Sequence, residues 1–218
     1  MAALEAQEVR GEEAVALTVG RPFVHSFYAR SSLVVARALL GRELVRTLDD
    51  GTQLRARIVE TEAYRQDDPA SHSFRGRTTR TDVMFGPPGR LYVYISYGMH
   101  FCMNVVTGRD GEGSAVLLRA AEPLDGVDRM EDLRGVNDRR LLCAGPGRLC
   151  QALSITRAHD GTDLVTGREL RIERGRAVPD EDVAAGPRVG ITVAVQEPWR
   201  FHVRGSRFIS RGPRFGAA

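Results

Sequence analysis

The sequence predicts an α+β fold, in which one mixed domain contains an antiparallel β-sheet, surrounding helices and a protruding β-hairpin. Its 218 residues, 42% hydrophobic and 27% charged, are enough to bury one substantial core. Short strand-like runs follow one another at antiparallel spacing, with helical segments inserted between them, which differs from the regular alternation of a doubly wound fold. No internal repeat or break in composition divides the chain.

Both ends of the chain are predicted to be flexible. Residues 1–20 alternate small and acidic side chains with little apolar periodicity, and residues 211–218 are predicted to form a short tail. A single folded domain is therefore expected over residues 21–210.

The first half of the domain contains one helix signal and two strand signals. Ser32 begins a run of apolar residues at helical spacing that Gly41 closes, which predicts an N-capped amphipathic helix. Strands are predicted over residues 43–47 and 54–64. The polar loop that follows, residues 65–80, is long for a compact domain, and loops of that length are usually functional.

The second half begins with a predicted hairpin. Residues 91–97 and 99–106 are aromatic and β-branched runs broken at Gly98, as expected of two strands joined by a tight turn. Pro146 suits the first turn of a helix, where its missing N–H is harmless. The remaining predicted elements are strands near residues 114–119, 170–173, 189–195 and 201–204, and helices over 127–134 and 145–153.

The basic residues exclude several reaction classes. All 31 are arginine, because the chain contains no lysine. Without an ε-amine, the protein forms no lysine Schiff base or pyridoxal-phosphate aldimine and contains no P-loop lysine, which excludes Walker-type NTPases. Only the N-terminal amine remains able to form an imine, so a lysine-dependent lyase is excluded as well.

The cysteines and the apolar segments predict the cellular setting. The spacing of Cys102, Cys143 and Cys150 matches neither a disulfide framework nor a zinc site, which favours reduced thiols and no metal. No apolar run reaches the ~18 residues of a membrane helix. The N-terminus also lacks a basic start followed by an apolar stretch, so we expect a cytoplasmic protein, nucleoid-associated if bacterial.

Clustered arginines make a nucleic acid the favoured partner. The net charge is +3, and residues 70–109 contain five arginines against one acid, while residues 199–218 contain five arginines and no acid. Guanidinium groups bind phosphate in a bidentate geometry. The alternative is an arginine-rich composition imposed by a biased genome.

Two carboxylates and their neighbours form the first candidate site. Glu60 and Glu62 lie at strand spacing and point to one face, where one of them is a usable general base. Tyr64 follows two residues later and His72 lies in the next loop. The alternative is an edge strand that shows a solvated acidic face, with His72 as a surface bystander.

The hairpin is the second candidate site. Strand alternation places Tyr92 and Tyr94 on one face, and Tyr97 falls at the turn beside Gly98. An aromatic side chain at a hairpin tip is poorly placed for a core, whereas base-extruding proteins use such a residue as a wedge in the DNA stack. The alternative is ordinary sheet packing of the three tyrosines.

Eight sequence blocks resemble the alkyladenine DNA glycosylases, also called 3-methyladenine or methylpurine DNA glycosylases, and the resemblance runs in order from about residue 32 to residue 208. The blocks are ETEAY at residues 60–64, DPASH at 68–72, MFGPPG at 84–89, LYVY at 91–94, YGMH at 97–100, CMN at 102–104, LLRAAEP at 117–123 and GPGRL at 145–149. The resemblance implies a mixed domain around a curved antiparallel sheet, without a metal or organic cofactor.

The resemblance also implies the catalytic residues. Glu62 would be the general base that activates water against the anomeric carbon of the deoxyribose, and Arg119 would help to hold that water. Hydrolysis of an N-glycosidic bond passes through an oxocarbenium-like state, which a nearby carboxylate also stabilises. An N3- or N7-alkylpurine is already cationic and leaves without prior protonation.

The same resemblance implies a base-binding pocket. Tyr64 would stack on one side of the extruded base, with His72 and Tyr94 against the other, and such an aromatic cage favours a cation. Asn104 would lie where guanine carries its exocyclic amine and so discourage normal guanine. Tyr97 would intercalate in the minor groove.

The expected function is that of a monofunctional DNA glycosylase. It would flip alkylated or deaminated purines of the 3-methyladenine, hypoxanthine and ethenoadenine class out of double-stranded DNA and hydrolyse their N-glycosidic bond. The product would be an abasic site that initiates base excision repair, and the enzyme would act as a monomer without a membrane or metal partner.

Three alternatives stay open from the residues alone. A non-catalytic nucleic-acid-binding module would use the same arginines and tyrosines. A helix–hairpin–helix glycosylase is indicated weakly by the Gly-Pro-Gly at residues 145–147. A carbohydrate hydrolase would use Glu60 and Glu62, although two residues of one strand could hardly flank a sugar.

Overall fold

The computed structural model of the protein describes residues 20–211, so the predicted N-terminal arm and C-terminal tail lie outside the described residues except at Gly20 and Arg211. The helices are α1 (His25–Tyr28), α2 (Ser32–Ala38), α3 (Val127–Arg134), α4 (Arg139–Leu142) and α5 (Pro146–Ala152). The strands are β1 (Glu43–Thr47), β2 (Gln53–Tyr64), β3 (Leu91–Ser96), β4 (His100–Val106), β5 (Ala115–Asp125), β6 (Leu170–Glu173), β7 (Val183–Gly186) and β8 (Arg200–Val203).

The eight strands form one antiparallel sheet that curls into a half-barrel, which confirms the predicted α+β class. The order along the sheet is β3-β4-β5-β2-β1-β6, and β8 pairs with both β2 and β7. The long strand β2 has β5 along one edge, and along the other edge it pairs first with β1 and then with β8. Register shifts between β2 and β5 around Glu60 mark bulges, which bend a strand and raise its local twist.

The hydrophobic core lies between the sheet and the helices. Leu44, Met103 and Leu118 on the strands are fully buried, and so are Val35 on α2 and Leu149 on α5. Strands β4 and β5 are buried over consecutive residues, so both faces of the sheet are covered at its centre.

Most predicted elements are confirmed, with small shifts at their ends. The first predicted helix begins at Ser32, but the side chain that caps it belongs to Ser31, whose oxygen accepts a hydrogen bond from the Val34 N–H. Gly41 follows that helix with φ +80°, in the left-handed region where glycine is favoured. Pro146 occupies the first turn of α5 as predicted. Helices α1 and α4, each one turn long, were not predicted.

The strand predicted over residues 189–195 is wrong. That segment is an irregular loop, and the strand in this region is β7, four residues long and earlier in the chain. Gly190 and Ala194 both have positive φ, which breaks an extended run. The N–H of Val189 donates to a buried carboxylate instead of a neighbouring strand.

No helix in residues 20–211 has the length and apolar character that a membrane span requires. The three cysteines are free and buried.

Candidate active site

A cavity of about 790 Å³ lies between the 65–80 loop, the β3–β4 hairpin, β5 and the irregular loop that begins at Val189. Its volume lies in the range of small-molecule sites. Six of the seven residues that the sequence predicted for the site line this cavity: Tyr64, His72, Tyr94, Tyr97, Asn104 and Arg119. Residues from four strands, a loop and a hairpin turn are thus brought to one cavity.

Glu62, the seventh predicted residue, lies directly behind the cavity wall with its side chain fully buried. Its Oε2 accepts a hydrogen bond of 2.9 Å from the Tyr64 hydroxyl, and its Oε1 accepts one of 2.8 Å from the Val189 N–H. The Arg119 Nη1 lies 3.3 Å from Oε1. Because Tyr64 and Arg119 line the cavity, the carboxylate is one side chain away from it.

The neighbouring carboxylate, Glu60, is also fully buried but makes different contacts. It accepts hydrogen bonds from the Arg200 Nε at 2.5 Å and from the Ser210 N–H at 2.6 Å, and the Arg119 Nε lies 3.2 Å away. The interpretation of Glu60 and Glu62 as a solvated acidic face is therefore wrong, because β2 is an interior strand here. Arg119 pairs with both carboxylates and compensates charges that would be costly to bury alone.

Arg200 and Ser210 were not predicted as partners of Glu60. Arg200 was grouped with the C-terminal arginines expected to face phosphate, but its side chain is only 9% exposed and is bonded inward. The other described arginines of that group, Arg204, Arg207 and Arg211, are exposed. The local signal for Arg200 was its position directly before the strand predicted over residues 201–204.

His72 and Tyr94 form an aromatic wall of the cavity. Their ring centroids are 4.6 Å apart at an interplanar angle of 78°, and Tyr92 stacks behind Tyr94 at 5.6 Å and 29°. The His72 Nδ1 lies 3.2 Å from the Tyr92 hydroxyl. Burial against these rings lowers the pKa of His72, and the positive charge of Arg80 lowers it further, which favours the neutral imidazole.

Tyr64 forms another part of the wall. Burial and the adjacent charge of Glu62 raise the pKa of its hydroxyl well above the usual tyrosine value, so the phenol stays protonated and donates to the carboxylate. The Arg188 guanidinium lies 4.7 Å from the ring centroid. Arg188 was not predicted as a site residue.

Asn104 lies on β4 directly opposite Tyr92 on β3. It is 5% exposed, and its Nδ2 donates a hydrogen bond of 3.2 Å to the Tyr92 carbonyl. This bond fixes the orientation of the side-chain amide in the cavity wall.

Tyr97 lies at the tip of the β3–β4 hairpin and is 87% exposed. It has φ +50° and precedes Gly98, also left-handed, so the turn projects the phenol ring away from the sheet. Ile95 and Met99 on either side are exposed as well, which gives the tip an apolar surface. By contrast Tyr92, one of the three hairpin tyrosines, packs in the interior at 1% exposure.

The 70–109 segment contains four exposed arginines, one of which lines this cavity. Arg75, Arg77, Arg80 and Arg109 are exposed, and Arg80 lines the cavity with its guanidinium 5.7 Å from the Tyr94 ring centroid. Arg77 is paired with Asp82 at 2.6 Å. Over residues 20–211, no group of three histidine, cysteine or acidic side chains is arranged to hold a metal ion.

Comparison with known proteins gives one consistent family. A family model described as "Methylpurine-DNA glycosylase" matches residues 26–207. A protein of Carboxydothermus hydrogenoformans named "Putative 3-methyladenine DNA glycosylase" is 48% identical over 185 residues, which cover 85% of this chain and 96% of that protein. Proteins of the same name from Nitrosospira multiformis and Anaeromyxobacter dehalogenans are 50% and 51% identical, over 84% and 88% of this chain and 91% and 87% of theirs. The chain belongs to the methylpurine-DNA glycosylase family.

Proposed function

We propose that this protein is a monofunctional DNA glycosylase that removes alkylated or deaminated purines from double-stranded DNA and leaves an abasic site. One observation carries the proposal: a buried carboxylate, Glu62, is hydrogen-bonded to a tyrosine that lines a cavity with aromatic walls. Membership of the methylpurine-DNA glycosylase family supports the same activity.

In the proposed reaction, a water molecule attacks C1′ of the deoxyribose while Glu62 takes its proton. The bond between C1′ and the purine nitrogen breaks, and its electron pair leaves with the base. Positive charge builds on the sugar in an oxocarbenium-like state, which the carboxylate of Glu62 stabilises. Arg119 holds the water, and its guanidinium lies 3.3 Å from the Glu62 carboxylate.

An extruded purine would enter between the aromatic groups of the cavity. Tyr64 would stack on one face of the base, and His72 and Tyr94 would contact the other. Asn104 would discourage guanine by meeting its exocyclic amine. A base that is already cationic leaves without a proton donor, and the π-faces of the cage attract it.

The hairpin and the arginines would handle the DNA. Tyr97 would enter the base stack in place of the flipped nucleotide, which offsets an unstacking cost of a few kcal/mol. The exposed arginines near the cavity, among them Arg75 and Arg109, would contact phosphates. The enzyme is proposed to act as a monomer in base excision repair.

The second candidate function is a non-catalytic nucleic-acid-binding module, which would use the same exposed tyrosine and arginines. The two functions differ in whether a base is released. A duplex oligonucleotide that contains hypoxanthine or 1,N6-ethenoadenine separates them when the wild-type protein is compared with Glu62→Gln. Base release by the wild type, with binding but no release by the variant, supports the glycosylase.

Glu122→Gln is the matched control, because Glu122 lies on β5, pairs with Arg57 and is outside the cavity. It should release base at the wild-type rate. If wild type and Glu62→Gln bind equally and neither frees a base from any alkylated or deaminated duplex, the binding-module interpretation replaces the glycosylase.

A further inference from the structure

Arg188 is a fully buried cation just behind the cavity. Its side chain and that of Asp68 are both 0% exposed, and the two form a bidentate ion pair in which the Arg188 Nη2 donates to Oδ1 at 3.0 Å and Nη1 contacts Oδ2. Nη1 also donates to the Ala63 carbonyl at 3.0 Å. One guanidinium therefore joins the end of β2 to the loop that follows it.

The same guanidinium stacks on two aromatic rings. Its central carbon lies 4.7 Å from the Tyr64 centroid and 5.0 Å from the Trp199 centroid. The Trp199 carbonyl in turn accepts a hydrogen bond of 2.8 Å from the Ala63 N–H. Because Arg188 contacts the Tyr64 ring from outside the cavity lining, the ring has little room to withdraw from the cavity when a base presses on it.

Two further contacts connect Arg188 to groups in the proposed reaction. The next residue in the chain is Val189, whose N–H donates to the Glu62 carboxylate at 2.8 Å. Asp68 begins the turn that leads to His72, and its Oδ1 accepts a hydrogen bond of 3.0 Å from the Ala70 N–H. The Arg188–Asp68 pair thus adjoins Glu62 on one side and the His72 loop on the other.

We infer that Arg188 is a positioning residue for base release: by bonding Asp68 and Ala63 and stacking on Tyr64, it holds the Tyr64 wall, the His72 loop and the Val189 N–H in their mutual arrangement around Glu62. This inference rests on the proposed glycosylase function. Lysine cannot replace arginine here, since an ammonium group lacks the planar fork that makes the bidentate bond and the flat face that stacks on a ring.

Arg188→Lys tests the inference, because it keeps the positive charge beside Asp68 and removes only the geometry. Single-turnover base release should fall about tenfold or more, while the Kd for a duplex with an uncleavable abasic analogue changes less than threefold. A residue needed only for folding would reduce the amplitude of base release and the fraction of protein that binds DNA, and would leave the rate constant of the folded fraction unchanged.

The matched control is Arg55→Lys. Arg55 forms a similar partly buried network with Glu43 and Glu173 on the sheet, outside the cavity. Arg55→Lys should lower the melting temperature as Arg188→Lys does. Its rate of base release should equal that of the wild type. Trp199 is the only tryptophan, so its emission reports the Arg188 stack and should shift in Arg188→Lys but not in Arg55→Lys.

If Arg188→Lys fails to fold, the double variant Arg188→Gln/Asp68→Asn takes its place. It replaces the ion pair with two neutral amides and so leaves no unpaired buried charge. The rate of base release should fall as it does in Arg188→Lys. Wild-type release rates in a folded variant whose Trp199 emission has shifted would overturn the inference and leave the proposed function intact. No base release by the wild-type protein would instead remove the proposed function.

Discussion

The Tyr64 hydroxyl donates a 2.9 Å hydrogen bond to the Glu62 Oε2, so a residue of the cavity wall also fixes the carboxylate behind it. The two residues are neighbours on the same face of β2, and the 0% exposure of Glu62 follows from the Tyr64 ring, Arg119 and the Val189 loop closing over it. A base that stacks on Tyr64 would therefore contact the group that orients the proposed general base, Glu62.

Tyr64→Phe separates the two contributions of that side chain. The ring remains to stack on a base, but the hydrogen bond to Glu62 is lost. A hydrogen bond to a charged group contributes about 1.5–3 kcal/mol, so single-turnover base release should slow by roughly 10- to 100-fold while binding of substrate DNA changes little. Equal losses in binding and release would show that the hydroxyl has no separate effect on Glu62.

Tyr97→Ser removes the exposed ring at the hairpin tip. Excision should weaken most on stable base pairs, because the wedge offsets unstacking and unpairing, and least on mispaired or single-stranded DNA. The measurement compares excision rates for the same lesion in these three contexts. Ile95→Ser, on the same hairpin and partly exposed, serves as the control for loss of apolar surface. A uniform loss in all three contexts for Tyr97→Ser would rule out a wedge.

The protonation of His72 should depend on Arg80. Burial of the ring and the Arg80 charge lower the pKa of His72, so its imidazole takes up a proton at a lower pH than a histidine with the ordinary pKa. Arg80→Gln removes one of the two causes and should raise the midpoint of the His72 titration toward the ordinary value, measured from its ring proton shifts by NMR. Arg75→Gln, which removes a charge from the same loop, should leave the midpoint unchanged.

This shift also gives the sign of a pH effect on stability. Because the folded-state pKa of His72 is below the unfolded value, the unfolded chain binds the proton first as the pH falls. Above the pKa of His72 in the unfolded chain, its titration therefore leaves the free energy of unfolding unchanged. Below that pKa, its titration lowers the free energy of unfolding. In Arg80→Gln this acid destabilisation should be smaller, as measured by urea unfolding at several pH values. A larger loss of stability at acid pH in Arg80→Gln would contradict the assignment of part of the pKa shift to the charge of Arg80.

DNA binding should weaken steeply with salt. Each phosphate neutralised by an arginine adds about 0.9 to the negative slope of log K against log salt concentration. Arg75→Gln should reduce the slope by about one if that exposed side chain contacts a phosphate, and the same reduction should occur for undamaged DNA. Arg200→Gln is not a suitable comparison, because Arg200 is bonded to Glu60. A flat plot for the wild type would contradict phosphate contacts.

Gly41→Ala should destabilise the protein strongly. Gly41 has φ +80°, and a Cβ there would lie 2.0 Å from the Arg176 carbonyl oxygen. Gly51, with φ +83°, has nothing within 4 Å of its Cβ position, so Gly51→Ala carries only the backbone strain of about 1 kcal/mol. Gly41→Ala should cost about 3 kcal/mol or more. Comparable melting temperatures for the two variants would disprove the steric argument.

Local sequence patterns predicted the elements that carry several candidate residues, because Tyr64, Tyr94 and Asn104 lie on regular strands. Alternation placed Tyr92 and Tyr94 on one face, and their rings are stacked. The break at Gly98 placed Tyr97 at a turn, and it projects there. The strand at residues 189–195 was wrong because alternating apolar residues look the same in a strand and in a loop whose N–H groups bind elsewhere.

The sequence by itself determined the periodic elements, the hairpin and the family, since period, turn residues and ordered motifs are properties of neighbouring positions. Only the tertiary structure decided that Glu62 is closed in behind Tyr64, that Arg200 and Ser210 bind Glu60, and that Arg188 pairs with Asp68. Except for Tyr64 and Glu62, the two members of each pair lie 120 to 150 positions from each other in the sequence. Bonds between such distant positions form only when the sheet folds around β2. A buried carboxylate must be paired with a cation, and the fold determines which of the many arginines lies within reach of it.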